Sequence, residues 1–411
     1  MNSMKKLYSL FEKTFGFIYH PVVRFYRFNG YKPKDFLSFV RYYVFGAKCS
    51  SDEKKYLYLD VTYLSKCERF AGICRVVSKI QEFLPVVQNE YEIVPVTGKQ
   101  FLGFYELNTK KIVVPSENDV FLSAEVTQGI ADSNNRFFRK IQKRGCKLVF
   151  FLHDLIPVLF PEFNGSMKFY KYYEKYLAQL AKADGVICNS NSVLKDFKKY
   201  IDEKKIKTNK NLKMSYTHLG VDFKPVDFTE NVRDSETIDF LMVSTVEVRK
   251  MYDLAVQAFD ILWKKQLNVT LSIVGKYGWK AEKAKALIEN NEQLGKKLFW
   301  YNQGISDKEL AEQYQKCDCV IFASRTEGFG LALIEAAIYK KPLIIRDIPI
   351  FREVAQDNAF YFEGNSPENL AEKIEEWIAL YKAGNYPKSD GIKYISWQES
   401  VLNIFNFIED L

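Results

Sequence analysis

Two acids, Glu327 and Glu335, stand eight positions apart and bracket a Gly-x-Gly turn in the stretch Ser324-Arg325-Thr326-Glu327-Gly328-Phe329-Gly330-Leu331. The apolar run from Asp318 to Ala323 predicts a short buried strand before them, and Leu331 to Tyr339, ahead of Pro342, predicts a helix after them. A loop between strand and helix turns free backbone N–H groups and the positive helix end toward whatever lies above it, which suits a phosphate or a sugar hydroxyl. Gly328 and Gly330 let a ligand approach the backbone. Glu327, ahead of the helix, is placed to accept hydrogen bonds from sugar hydroxyls, and Glu335, two turns along, to hold a ribose diol. Alone, two acids at this spacing also fit a solvated loop and a helix surface.

Other residues could serve the same chemistry. Arg249-Lys250 follows the predicted strand Asp239–Val243 after a short turn, where two cations would neutralise a diphosphate leaving group. Gly72, in Phe70-Ala71-Gly72-Ile73-Cys74-Arg75-Val76, opens the first helix after the first strand and would let backbone approach a pyrophosphate from the opposite side. Arg75 suits either a phosphate or acceptor contact or plain packing. The chain contains no Asp-x-Asp pair to hold a divalent cation on a diphosphate. Arg249 and Lys250 are therefore expected to carry that charge, with no metal or other cofactor. Cys317-x-Cys319 lies on a predicted buried strand without further ligands, which argues against a metal role. His20 and His218 read as structural.

Strands and helices alternate along the chain. Tyr56–Thr62, Glu92–Val96, Val120–Ser123, Lys147–Leu152 and Gly185–Cys188 read as strands of a first domain, with helices at 72–83, 168–182 and 192–200. The second domain restarts at Asp239 and ends near residue 390. Both patterns predict doubly wound α/β sheets, over 51–222 and 238–390, joined by a polar linker at 223–237 and followed by an amphipathic helix within 391–411. At 411 residues and 47% hydrophobic content, the chain can fill two cores. Seven cysteines without framework spacing predict a reduced compartment.

The segment Phe299–Val354, with Asp307-x-Glu309-Leu310, Tyr314, Asp318, Ser324-x-x-Glu327-Gly328-Phe329-Gly330-Leu331, Glu335-Ala336, Pro342-Leu343-Ile344 and Arg352-Glu353-Val354, closely resembles the donor half of glycosyltransferase family 4. The likeness extends through Thr245–Lys250, Ile273-Val274-Gly275-Lys276, His153-Asp154-Leu155-Ile156-Pro157, Asn189-Ser190 and Leu219-Gly220-Val221-Asp222, in all over about residues 55–405. Where the family usually has Asn after the two cations, this chain has Met251. The resemblance implies a GT-B fold of two facing Rossmann-like domains with a central cleft, and C-terminal helices that cross back to the first domain. It implies a retaining glycosyltransferase acting by front-face displacement. His153, Arg249, Lys250 and Glu327 would be the catalytic set, with His153 touching the donor sugar. Gly72, Arg75, Gly275, Gly328, Phe329, Gly330, Leu331 and Glu335 would bind the donor. The wording Gly72-Ile73-x-Arg75-Val76 after Asp60-Val61-Thr62 resembles the subset building bacterial surface polysaccharides, mannosyltransferases included. The expected reaction moves a hexose, mannose from GDP-mannose first, onto a growing, polyprenyl-diphosphate-linked glycan. A sugar-nucleotide epimerase of the same fold, or an inactive partner of another transferase, are the alternatives.

Residues 1–48 hold nine Lys/Arg against Glu12 and Asp35, so +7 of the chain's net +8 sits there among fourteen aromatics. Leu7, Leu10, Phe11, Phe15 and Ile18, then Phe36, Phe39, Val40, Tyr43 and Val44, fall at helical spacing. This helical, basic and aromatic extension over 1–50 suits an anionic membrane surface, or an extra packing layer on the fold. No base-reading module accompanies it, so nucleic acid is not expected. Neither a signal peptide nor an apolar run of about 18 residues is present. The expected location is the inner face of the bacterial cytoplasmic membrane.

Overall fold

The computed structural model describes residues 54–67, 72–99, 103–126, 135–163, 166–221 and 236–411, and the basic extension 1–48 lies outside them. In the first domain, strands β1 (Lys55–Asp60), β2 (Tyr91–Lys99), β3 (Gly103–Glu106), β4 (Val120–Ser123), β5 (Lys147–Leu152), β6 (Gly185–Cys188) and β7 (Lys213–Tyr216) form one sheet in the order β3-β2-β1-β4-β5-β6-β7. Only β3 runs antiparallel to its neighbour in this sheet. Strands β4 and β6 are buried at every position, as expected where helices cover both faces of a parallel sheet. Those helices are α1 (Ile73–Val87), α2 (Asn135–Lys143), α3 (Ile156–Leu159), α4 (Met167–Leu180) and α5 (Asn191–Glu203).

The second sheet joins β8 (Ile238–Val243), β9 (Val269–Val274), β10 (Leu298–Tyr301), β11 (Cys319–Phe322), β12 (Leu343–Arg346) and β13 (Phe360–Phe362) in the order β10-β9-β8-β11-β12-β13, with every pair parallel. Around it lie α6 (Tyr252–Lys264), α7 (Glu282–Glu289), α8 (Asp307–Lys316), α9 (Leu331–Ile338), α10 (Pro349–Ala355) and α11 (Pro367–Lys382). The chain closes with α12 (Trp397–Glu409), which packs on α1 and β6 of the first domain, so the C-terminal helix does cross back. A Cβ on Gly220 would stand 2.3 Å from the Trp397 Cα. Only glycine lets the chain leaving the first domain run against the start of α12, where Val221 N–H donates to Ile395 O at 3.0 Å. One apolar cluster runs from Leu59 through Val221 and Trp397 to Phe329 and Phe351, tying the domains together.

Several features differ from the sequence expectations, which have no counterpart for β3, α2, α10 or β13. No strand is expected after Gly185–Cys188 in the first domain, yet β7 follows the Lys- and Asn-rich loop that ends at Lys213. As a half-exposed edge strand paired to β6 through its main chain, it needs no apolar run. Helix α11 had no assignment; Ser366 caps it by accepting from Asn369 N–H, with Pro367 in its first turn. Cysteines that looked scattered include one disulfide, Cys67–Cys74, closed across the loop from β1 into α1, which the expectation of a reduced compartment did not foresee.

Candidate active site

In each sheet the strand order reverses beside the first strand, between β1 and β4 and between β8 and β11. Loops leaving the carboxyl ends of those neighbours part in opposite directions and open a crevice, the usual ligand position in doubly wound folds. Gly72 and Arg75 follow β1, Arg249 and Lys250 follow β8, and Glu327 to Gly330 follow β11. These predicted residues thus follow the switch-point strands, whereas His153 follows β5 and Gly275 follows β9.

The two second-domain loops are stitched together. Arg325 N–H donates to the Arg249 carbonyl at 2.9 Å, and Arg249 Nη1 donates to Thr326 O at 3.2 Å. Arg249 reaches Glu327 Oε2 at 2.7 Å and Glu247 Oε2 at 3.0 Å, while Lys250 Nζ pairs with Glu327 Oε1. Glu327 is buried, with its side chain 7% exposed. Burial alone would raise its pKa, but Lys250 and Arg249 hold the carboxyl down at about 2. It is therefore a fixed anion at neutral pH, unsuited to proton transfer, gripping two cations beside the crevice. Met251, in the place of the usual Asn, sits at φ 57° in the left-handed region before α6.

His153 ends β5 with its ring turned into the first domain. Nε2 bonds the Ala124 carbonyl at 2.6 Å, and burial lowers its pKa to about 4, so the ring is neutral. Its backbone, not its ring, faces the other domain: a Cβ on Gly328 would lie 2.3 Å from the His153 carbonyl oxygen. Gly328 thus permits the closest main-chain approach between the domains in this loop, a structural demand separate from ligand access. Gly72 adopts φ 55° just before α1, and among the described residues nothing lies within 4 Å of where its Cβ would be. Gly330 at φ 93° plays the matching part for α9.

The remaining predicted donor residues separate into two groups. Arg75 and Glu335 meet across the crevice, Nη1 to Oε1 at 2.8 Å. Gly275, by contrast, is needed for packing, because a Cβ there would fall 1.8 Å from Ser244 O. Phe329 is buried against the His218 ring, centroids 5.3 Å apart, and Leu331 packs on the apolar cluster.

Several further residues hold the fold around the site in ways the sequence wording did not specify. Glu353 on α10 accepts from the N–H groups of Asn191 and Ser192 at 2.8 and 2.7 Å, from Ser192 Oγ at 2.6 Å, and pairs with His218 Nε2 at 2.8 Å. A second-domain carboxylate thus fills the start of a first-domain helix, α5. Burial works against it, but the bonds from His218, Ser192 and Asn191 hold its pKa at about 2. Ser190 both caps α5 and donates to the Gly328 carbonyl at 3.1 Å. Behind β1, Glu125 accepts from Tyr63 and Leu64 N–H at 2.5 and 2.7 Å, and burial beside Asp60 raises its pKa to about 8. Its place just past the buried strand β4 was the available signal; Glu353 and Ser190 stood in the family wording Arg352-Glu353-Val354 and Asn189-Ser190, but their interdomain partners were not legible there.

The two-sheet architecture and its crevice define a GT-B fold. A sucrose-phosphate synthase from Thermosynechococcus elongatus matches it with a TM-score of 0.62 at 14% identity, over 87% of this chain and 99% of that one. An Anabaena protein, HepE, solved in complex with UDP and glucose, matches with 0.60 at 16% identity, over 87% and 100%. Residues 223–393 match the family described as glycosyl transferases group 1, and residues 129–208 the glucosyltransferase 3-like N-terminal domain. The serotype-specific mannosyltransferase WbdA of Escherichia coli is 34% identical over 370 residues, covering 84% of this chain and 44% of the relative. The O-antigen chain mannosyltransferase RfbU of Salmonella typhimurium is 40% identical over 71 residues, 17% of this chain and 20% of the relative. The chain belongs to the group 1 glycosyl transferases, and it spans a little under half the length of the WbdA relatives it matches. Among the described residues no helix is long and apolar enough to cross a membrane.

Proposed function

We propose that the chain is a retaining hexosyltransferase that moves a hexose, mannose from GDP-mannose first, from a nucleotide diphosphate to a growing surface glycan. The observation that carries this reading is the Arg249–Lys250–Glu327 cluster at the switch point of the second sheet. Two cations there can meet charge growing on a leaving diphosphate, in a site that holds them in place before the reaction. Glu327 acts as a positioning residue that orients them and offers oxygens to the donor hexose. The leaving phosphate takes the acceptor proton, and no metal ion is required. The similarity to WbdA and RfbU, both mannosyltransferases, supports mannose.

The acceptor in this reading is a polyprenyl-diphosphate-linked glycan at the cytoplasmic membrane face, reached through the basic extension 1–48. A thermal-shift series with UDP-, GDP-, ADP- and dTDP-sugars tests the donor. A ligand at 100-fold its dissociation constant adds about 2.7 kcal/mol. GDP-mannose is expected to give the largest shift, with GDP released on addition of a mannoside acceptor. No shift with any nucleotide sugar overturns the reading.

A further inference from the structure

Beside the cation cluster lies a cavity of about 570 Å³ lined by both domains, with Asp154, Phe163 and Phe169 from the first and Glu247, Arg249 and Trp279 from the second. That volume falls within the usual range for a small-molecule site, roughly 300–1,000 Å³. Its wall is fixed by contacts between the domains. Trp279 Nε1 donates to Phe163 O at 3.1 Å, Lys280 Nζ to Glu162 O at 3.1 Å, and the Arg325 guanidinium lies 5.5 Å from the centre of the Phe163 ring. Yet Trp279 is 58% exposed and Phe169 37%, so two large rings on opposite domains stand open to water at one cavity.

The polar groups say what would fit between them. Asp154 and Glu247 are carboxylates, and the cavity's cation, Arg249, is already engaged by Glu247 and Glu327. Away from Arg249, which lies on the leaving-group side, the charged groups of the lining are the acids Asp154 and Glu247, and hydroxyl groups can donate to their carboxylate oxygens. A pyranose ring combines such hydroxyls with an apolar C–H face that packs on an aromatic ring. Arg249 belongs both to this cavity and to the cluster that would hold the leaving group, so a sugar bound here lies next to the reacting centre.

We infer that the cavity between Phe169 and Trp279 is the acceptor subsite, taking an uncharged pyranose of the glycan that receives the transferred hexose. This rests on the transferase reading above and names the ring-binding residues of that reaction. Phe169 and Trp279 stack the ring, and Asp154 and Glu247 orient its hydroxyls.

The test separates the two readings. Donor binding is first measured on the full-length chain by thermal shift, and its failure there removes the transferase reading whatever the cavity does. With donor bound, the acceptor KM for an α-linked mannobioside is compared in Trp279→Leu, Phe169→Leu, Trp279→Tyr and Phe169→Tyr. The leucine variants are expected to raise the acceptor KM about tenfold while the donor Kd stays within about twofold, and the tyrosine variants to restore it. An unchanged acceptor KM in the leucine variants, with donor binding intact, overturns the subsite. Equal losses in the leucine and tyrosine variants overturn it too, since they would assign these rings to interdomain packing.

Discussion

Arg75 of the first domain and Glu335 of the second meet across the crevice, guanidinium to carboxylate, at 2.8 Å. The pair is partly exposed, 27% and 22% by side chain, so it contributes on the order of 1 kcal/mol to holding the domains together. It also occupies the acid expected to hold the donor ribose. Glu335→Gln should therefore raise the donor Kd about tenfold or more, while Arg75→Ala should change it less than about fivefold. Isothermal titration with the donor nucleotide checks both, and the reverse order would assign ribose or phosphate binding to Arg75.

Arg249 and Lys250 share one buried carboxylate, so their effects are coupled. Arg249→Ala or Lys250→Ala should lower turnover by roughly 10²–10³. The double variant should lose much less than the product of the two, because both cations serve one leaving group and share Glu327, so that each single change already disturbs the other. Since the two cations carry the diphosphate charge in this mechanism, EDTA should leave most of the activity. Complete loss with chelator, restored by Mn²⁺ or Mg²⁺, would move that role to a metal ion.

Met251 adopts φ 57° at the residue before α6, a conformation that disfavours most side chains but suits Asn. Asn also caps a helix start better than Met. Met251→Asn is expected to raise stability by about 0.5–1 kcal/mol, visible as a small rise in Tm with kinetics unchanged. Loss of stability would mean that the Met251 contact with the second-domain apolar cluster outweighs the relieved backbone.

These features show where the sequence was legible. Strands β4, β5 and β6 start and stop where the apolar runs place them, because each buries nearly its whole run. The cluster Arg249–Lys250–Glu327 followed from switch-point loops. Phe329 and Gly275 carried the family wording but serve packing. Glu353 and Trp279 act through partners more than a hundred positions away, which no local pattern encodes.

Glu353 satisfies the start of α5 from the opposite domain, so its loss leaves two N–H groups and His218 without their acceptor. Glu353→Gln should cost about 2–3 kcal/mol at pH 7 and lower Tm by several degrees. Its folded pKa of about 2 lies below the unfolded value of about 4.3, so this contribution is present above pH 4.3 and fades as pH falls toward 2. Wild type and variant should converge in acid denaturation. A constant gap down to pH 2 would show that the carboxylate charge is not what holds the domains.

Glu125 predicts the opposite slope. Burial beside Asp60 raises its folded pKa to about 8, against about 4.3 unfolded. Between those values the folded chain binds the extra proton, so this residue's contribution to stability falls as pH rises from 4.3 through 8. Glu125→Gln removes that titration, though one of its two backbone hydrogen bonds, from Tyr63 and Leu64, is lost with it. The variant should be the less stable protein at pH 5, and the gap should close or invert by pH 9. Tm measured across that interval for both proteins checks this, and parallel curves would mean that Glu125 titrates near its ordinary value, with the loop after β1 relaxed enough to admit water.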